Sequence, residues 1–228
     1  VSVWYAIPSK RPVAEAEMCL SQWREKGYRL ALFRDAGDEP IPCDLLLTGE
    51  YGGYHVAVNA LCKEIMARDP EASWIVTGGD DMKPDPNKMP SEIAAECEAH
   101  FGGTFGVMQP TGDMKLWSES RVDKICGSPW MGREFCRRMY GGNGPFWPNY
   151  YHMFGDEEMH EVAKKLGILW NREDLSHYHH HFIREAREKG KPIVCPDFLI
   201  KANAAYDVHL PEFKWRKAHG FPGHEPIA

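Results

Sequence analysis

Through its first half the chain alternates about four times between a short apolar run and a stretch with apolar residues at helical spacing. That alternation leaves few folds open. The runs are Val3 to Ile7, "YRLALF" (28–33), "DLLLTG" (44–49) and "SWIVTG" (73–78), followed by "TFGVMQP" (104–110). Between them Ala16, Cys19, Leu20 and Trp23 mark a helix face that Gly27 stops. Val58, Leu61, Cys62 and Ile65 mark a second, and Ile93, Cys97 and Phe101 a third over 90–101. This pattern predicts an α/β class: a Rossmann-like, mainly parallel sheet with helices on both faces. Ligands of such sheets sit at the carboxyl ends of the strands.

The second half reads differently. Residues 110–155 are rich in Gly, Pro, Trp and Tyr, as in "GGNGPFWPNYYHMFG", and predict long ordered loops. A helix returns at "DEEMHEVAKKLG". With 228 residues, 43% of them apolar, the chain suits one globular domain. No apolar run approaches the roughly 20 residues of a membrane span. The opening "VSVWYAIPSK" does not read as a signal peptide. The seven cysteines include no C-x-x-C pair, and several fall on predicted apolar faces. They read as reduced core thiols, and the expected location is cytoplasmic. A net charge of −6 argues against general, charge-driven nucleic-acid binding, although the run from Arg121 to Arg138 is locally basic.

The stretch "WIVTGGDDMKPD" ends a buried run and at once sets Asp80 beside Asp81. Adjacent carboxylates repel, more so out of water, so a positive partner is expected between them. A hard cation, Mn²⁺ or Mg²⁺, would serve, and it would take further oxygens from a diphosphate. Turn chemistry after Gly-Gly is the plainer reading. Asp85 would brace the loop or contact a sugar.

Two more groupings carry chemistry. In "LSHYHHHF" an extended chain would put His177, His179 and His181 on one face and His180 on the other. The segment reads equally as a metal or phosphate site and as a solvated run or structural zinc site. In "FGDEEMHE" Asp156, Glu157 and Glu158 open a helix, where acids favour the helix dipole and Asp156 is a natural N-cap. A carboxylate there can also serve as general base.

In chain order these pieces are a first strand ending in a Pro-Ser-Lys-Arg loop, a mid-chain strand ending in "GGDD", a "GDEE" helix start and a His-rich segment. Over residues 1–182 this resembles the GT-A glycosyltransferases of the nucleotide-diphosphosugar transferase superfamily. It looks most like small inverting family-two enzymes, including those of bacteriophages. The resemblance implies a GT-A domain over 1–228, with a nucleotide-sugar-binding half (1–109), an acceptor-side and catalytic half (110–182) and a C-terminal extension (183–228). It implies a metal-dependent hexosyltransferase that moves a sugar from a nucleotide-diphosphosugar, a UDP-sugar first, to an acceptor hydroxyl with inversion.

Residue by residue, the resemblance places Pro8, Ser9 and Arg11 against the nucleotide, Asp35 near the base or ribose, and Tyr54 and Asn59 on the helix beside it. Asp81 matches the metal-binding end of a DxD motif. Gly79 stands where the first Asp would be, which leaves Asp80 to ion or ribose. Asp156 or Glu157 would be the catalytic base, and His177 or His179 would complete the metal site with Mn²⁺ or Mg²⁺. The acceptor implied by the phage likeness is a hydroxymethylpyrimidine base in DNA, with a glycan or small molecule as the other possibility. Trp117, Trp130, Trp147, Tyr150 and Tyr151 would stack on it or simply pack. Two rival readings are a sugar nucleotidyltransferase, which the glycine-poor "IPSKRP" disfavours, and a non-catalytic metal-binding protein.

Overall fold

Alternate residues of the first strand feed two different cores. Trp4 and Ala6 enter one with Ala31 and Ile75; Val3, Tyr5 and Ile7 enter the other with Leu30, Leu32, Trp74 and Val76. A strand that is apolar on both faces must lie inside a sheet covered on both sides. The computed structural model describes residues 1–228 except the side chains of Trp117 and Phe198. The stacking expectation at Trp117 therefore lies outside the described residues.

The strands are β1 (Ser2–Pro8), β2 (Arg29–Asp35), β3 (Leu45–Gly49), β4 (Ala72–Val76), β5 (Met82–Lys83), β6 (Val107–Pro110), β7 (Trp130–Gly132), β8 (Leu169–Arg172) and β9 (Tyr178–His179). Seven form one sheet in the order β3-β2-β1-β4-β7-β6-β8. Its pairs are parallel except around β7, which runs antiparallel to both β4 and β6. The remaining two, β5 and β9, pair antiparallel with Met82 opposite His179 and Lys83 opposite Tyr178.

The helices are α1 (Val13–Glu25), α2 (Tyr54–Arg68), α3 (Pro90–Phe101), α4 (Gly112–Ser118), α5 (Arg133–Arg138), α6 (Gly155–Lys165), α7 (Phe182–Glu188) and α8 (Asp197–Ala218). From α1 and α3, Leu20, Trp23, Ile93 and Cys97 fill one core; from α2, α5 and α6, Val58, Leu61, Phe135 and Met159 fill the other. Each large apolar side chain so buried contributes about 1.5–3 kcal/mol. The chain is thus a mixed α/β fold with a mainly parallel sheet and helices on both faces, as its alternation predicts.

The differences from expectation are local. The run 104–110 pairs only over Val107–Pro110, and the His-rich segment is strand only at Tyr178–His179. The helix over 156–167 begins at Gly155, with Phe154 rather than Asp156 as its N-cap. Helix α8 is long despite Pro211 within it. Its Phe213 enters the α2/α6 core. All seven cysteines are unpaired, five of them buried. No helix among the described residues is long and apolar enough to cross a membrane.

Candidate active site

The turn after β4 is held from below by the core. Tyr5 of β1 stacks on Trp23 of α1 with ring centroids 3.7 Å apart. Above them, the Tyr5 hydroxyl donates to the Gly79 carbonyl (2.6 Å) and the Trp23 indole N–H to the Met82 carbonyl (2.8 Å). Both ends of Gly79–Met82 therefore rest on buried aromatics. The departure from a strict D-x-D has a steric cause: a Cβ on Gly79 would lie 2.4 Å from Asp81 Oδ1. Any larger residue at 79 would push that carboxylate away.

A positive group does sit between the acids, and it is Arg11. Its Nε lies 2.6 Å from Asp80 Oδ1 and its Nη2 3.2 Å from Asp81 Oδ2. The Ser9 hydroxyl donates to Asp80 Oδ2 (2.6 Å). The loop carrying Ser9 and Arg11 is braced by buried Arg34, whose Nη1 donates to both of their carbonyls at 3.2 Å. On the far side, β9 brings His179 Nε2 to 3.2 Å from Asp81 Oδ1. Burial pushes the Asp81 carboxyl up, but the hydrogen bond and charge of His179 and the charge of Arg11 outweigh it, and the group lies below its ordinary value. Neither aspartate points into bulk water: their side chains are 15% and 20% exposed.

A divalent ion fits part of this arrangement. Asp81 Oδ1 and His179 Nε2 are 3.2 Å apart, slightly more than the roughly 3.0 Å between neighbouring corners of an octahedron with bonds of about 2.1 Å. Asp80 is already engaged by Ser9 and Arg11. Among the described residues no group of three or more His, Cys, Asp or Glu side chains is arranged to hold a metal. An ion here would draw its remaining ligands from a bound diphosphate and water.

The neighbouring rim belongs to Asp35, Tyr51, Tyr54 and Tyr151. Lys10 pairs with Asp35 (2.8 Å) at the end of β2. Tyr51 and Tyr151 meet edge to face at 5.7 Å. The Tyr54 hydroxyl lies 2.8 Å from Thr77 Oγ1 and donates to the Gly78 carbonyl (3.0 Å), tying α2 to the acidic turn. Gly53 lets Tyr54 start the helix hard against the aromatic loop, since a Cβ there would fall 2.5 Å from the Tyr151 carbonyl. Pro8 ends β1 just before Ser9.

Asp156 stands in a different electrostatic setting. Burial and the neighbouring Glu157 push its carboxyl up to about 6, against two backbone hydrogen bonds and the charge of Arg121. Its Oδ1 accepts from the Glu157 amide (3.0 Å). Phe154 enters the helix at φ 75°, and a Cβ on Gly155 would strike His55 Nε2 at 2.0 Å. His55 donates from Nδ1 to the Tyr150 carbonyl (3.0 Å) and is held neutral, its pKa lowered to about 4 by burial. The tight Phe154–Gly155 turn thus aims the start of α6. Asp156 is in turn among the charges acting on Tyr54, which touches the acidic turn.

Two expected residues are placed elsewhere. Asn59 is buried and uses both ends of its amide on Phe146, donating to its carbonyl (2.9 Å) and accepting from its amide (3.1 Å). It anchors the aromatic loop rather than a nucleotide. His177 is buried too. Its Nε2 accepts from Trp130 Nε1–H (3.3 Å), which leaves Nδ1–H to donate to Ser128 Oγ (2.8 Å). Burial lowers its pKa to about 3. With both nitrogens engaged it cannot ligate a metal, and His179 alone of the pair faces Asp81.

Several plain readings hold. Asp85 is a loop brace that accepts from the amides of Asn87, Lys88 and Ser176. Trp130 and Tyr150 are fully buried packing residues. Arg133 caps carbonyls of Met66, Asp69 and Ala72, Arg137 pairs with Glu134, and Arg138 holds the Ile227 carbonyl. The basic run from Arg121 to Arg138 therefore offers a nucleic-acid backbone less charge than its sequence implies. Sequence reasoning missed Tyr51, His55 and Arg34. The glycine-flanked aromatics of "EYGGYH" were the available signal for the first two.

No family model and no curated protein sequence matches the chain. Similar solved structures include the catalytic domain of Drosophila beta1,4galactosyltransferase 7 in complex with xylobiose, with 11% identity over 86% of this chain and 76% of that one and a TM-score of 0.48. A mutant of the Drosophila beta1,4galactosyltransferase 7 in complex with manganese, UDP-Gal and xylobiose gives 11% identity, 89% and 79% coverage and a TM-score of 0.44. At that level of similarity the function of this chain has to be argued from its own residues.

Proposed function

We propose that this protein is a metal-dependent glycosyltransferase that moves a sugar from a nucleotide-diphosphosugar, a UDP-sugar first, to an acceptor hydroxyl with inversion. One observation carries the reading: two groups of acids at one end of the fold differ in how their charge is met. Asp80 and Asp81 are compensated by Arg11 and His179. Asp156 makes no ion pair among the described residues; burial and Glu157 outweigh the more distant charge of Arg121 and push it up to about 6. Donor binding needs the first kind of site and proton removal the second.

In this reading Asp81 and His179 hold Mn²⁺ or Mg²⁺, which would offset charge developing on the leaving nucleoside diphosphate. Ser9 and Arg11 line the diphosphate, with Asp80 orienting both. Asp35, Tyr51 and Tyr54 border the nucleoside. Asp156 takes the proton from the attacking hydroxyl as it meets the anomeric carbon from the face opposite the leaving group, and Glu157 is the next candidate.

The test is thermal. UDP should raise the melting temperature only when Mn²⁺ or Mg²⁺ is present, by mass action on a shared site. A response to metal alone, unchanged by UDP, would instead mark a structural ion site and overturn the proposal.

A further inference from the structure

Beside Tyr54 stands an imidazole that the fold leaves unengaged. His152, in the aromatic loop four residues before Asp156, meets the Tyr54 ring edge to face with centroids 5.8 Å apart. It is half-buried, yet neither ring nitrogen has a hydrogen-bond partner among the described residues, and neither is among the side-chain atoms sealed from water. Both nitrogens are therefore open to a ligand. The two fully buried histidines nearby differ: His55 gives Nδ1 to the Tyr150 carbonyl, and His177 is held by Ser128 and Trp130.

The backbone around His152 is fixed on both sides. Before it, the Tyr151 carbonyl accepts from the Tyr54 amide (2.6 Å), and a Cβ on Gly53 would lie 2.5 Å from that carbonyl. After it, Met153 packs against the core, and Phe154 turns into α6 at φ 75° with its carbonyl accepting from the Glu158 amide (2.8 Å). A side chain held on such a backbone loses little further freedom when a ligand arrives. Burial lowers the His152 pKa, so near neutral pH the ring is uncharged and presents one N–H and one lone pair. It offers a phosphate no opposing charge. Among the described residues it joins no group of three that could hold a metal. A hydroxyl group both donates and accepts, and so matches either nitrogen.

The place selects which hydroxyl. On one side Tyr54 is tied through its hydroxyl to the Gly78 carbonyl, at the root of the acidic turn. On the other side its neighbour His55 packs against Gly155, the residue before Asp156. His152, seated on Tyr54, therefore stands at the seam between the acidic turn and the start of α6. A single displacement places the anomeric carbon between the diphosphate at Asp81 and the base at Asp156, so the ring being transferred occupies that seam.

We propose that His152 is a substrate-binding residue that hydrogen-bonds a hydroxyl of the transferred sugar and so helps to select the sugar that the donor carries. The proposal rests on the glycosyl-transfer reading.

The test compares UDP with UDP-glucose, UDP-galactose and UDP-N-acetylglucosamine, each with Mg²⁺, on the full chain. His152→Phe keeps a ring against Tyr54 and removes both nitrogens, and the NMR signal it loses assigns the His152 imidazole. At least one UDP-sugar should move that signal further than UDP does. By calorimetric titration His152→Phe should weaken the same UDP-sugar about fivefold and leave UDP within about twofold. The unchanged UDP affinity shows that the variant is folded. A signal that moves equally with UDP and with every UDP-sugar, or an affinity loss shared by UDP, would put His152 against the nucleotide and overturn the proposal. UDP binding with a His152 signal that no UDP-sugar moves overturns it as well and leaves the transfer reading standing. A chain that binds UDP in no metal-dependent way overturns the transfer reading and the proposal with it.

Discussion

His179 reaches Asp81 across a two-residue ladder: β9 pairs with β5, and the imidazole Nε2 comes to 3.2 Å from the carboxylate Oδ1. The contact joins residues almost a hundred positions apart, and no local motif announces it. It also gives the first prediction. His179→Ala and Asp81→Asn should each abolish the metal-dependent part of the UDP thermal shift. The Asp81 pKa is lowered in the fold, so its contribution to stability is present above about pH 4 and fades as pH falls through the lower folded value. Asp81→Asn should therefore cost at most about 1 kcal/mol at neutral pH and nothing in acid. A variant with an undiminished UDP shift in Mn²⁺ would place the ion elsewhere.

Arg11 should behave as a counter-ion that a cation can replace. Arg11→Ala leaves Asp80 and Asp81 facing each other with one positive partner fewer. The side chains are partly exposed, so the cost in a chelator should be about 1–2 kcal/mol. The melting rise on adding Mn²⁺ should then be larger than in the parent chain, because the ion now offsets repulsion that Arg11 had been offsetting. Differential scanning fluorimetry with EDTA and with Mn²⁺ reads both quantities. An equal Mn²⁺ response in the two chains would mean that Arg11 and the ion do not share these carboxylates.

Asp156 makes opposite predictions for activity and stability. As a base it works deprotonated, so kcat/KM should rise with pH through an apparent pKa near 6. Its folded pKa is raised above the unfolded value of about 3.9, so the fold binds the proton more tightly and stability falls as pH rises between the two. Asp156→Asn should therefore abolish transfer and keep the UDP shift. It should be more stable than the parent by up to about 3 kcal/mol at about pH 8, with the gain vanishing in acid. Normal transfer by the variant would move the base to Glu157.

What the chain discloses about itself follows the range of the interactions. The strands and helices of the first half were legible because burial on two faces writes itself as period two and period 3.6 along the sequence. Asp80 and Asp81 were legible because like charges at a strand end demand a partner. Which partner was not: Arg11 comes from the loop after β1, some seventy residues earlier. Asn59 and His177 misled for the same reason. Their residue types suit ligands, but their neighbours Phe146, Ser128 and Trp130 are fixed only by tertiary packing. Helix α8 was hidden by Pro211 and by an anchor, Arg216, that reads as a surface charge.

That anchor supports the last prediction. Arg216 and Glu158 are 2% and 1% exposed, and the guanidinium meets the carboxylate at two points, Nη2–Oε1 2.7 Å and Nε–Oε2 3.0 Å. Tyr140 and Tyr150 donate to the remaining lone pairs at 2.9 and 2.8 Å, and the Trp147 ring lies 3.6 Å under the guanidinium. Glu158 is therefore not a spare base beside Asp156; it fastens α8 and the aromatic loop to α6. Removing one partner strands a buried charge, so Arg216→Met should cost about 3–5 kcal/mol in urea unfolding. Adding Glu158→Gln, whose amide oxygen accepts from one tyrosine while its NH2 donates to the hydroxyl of the other, should recover a good part of that loss. Since α6 also carries Asp156, the single variant should lose transfer at temperatures where its UDP shift survives. A cost of Arg216→Met under about 1 kcal/mol would show that α8 is held by its apolar contacts instead.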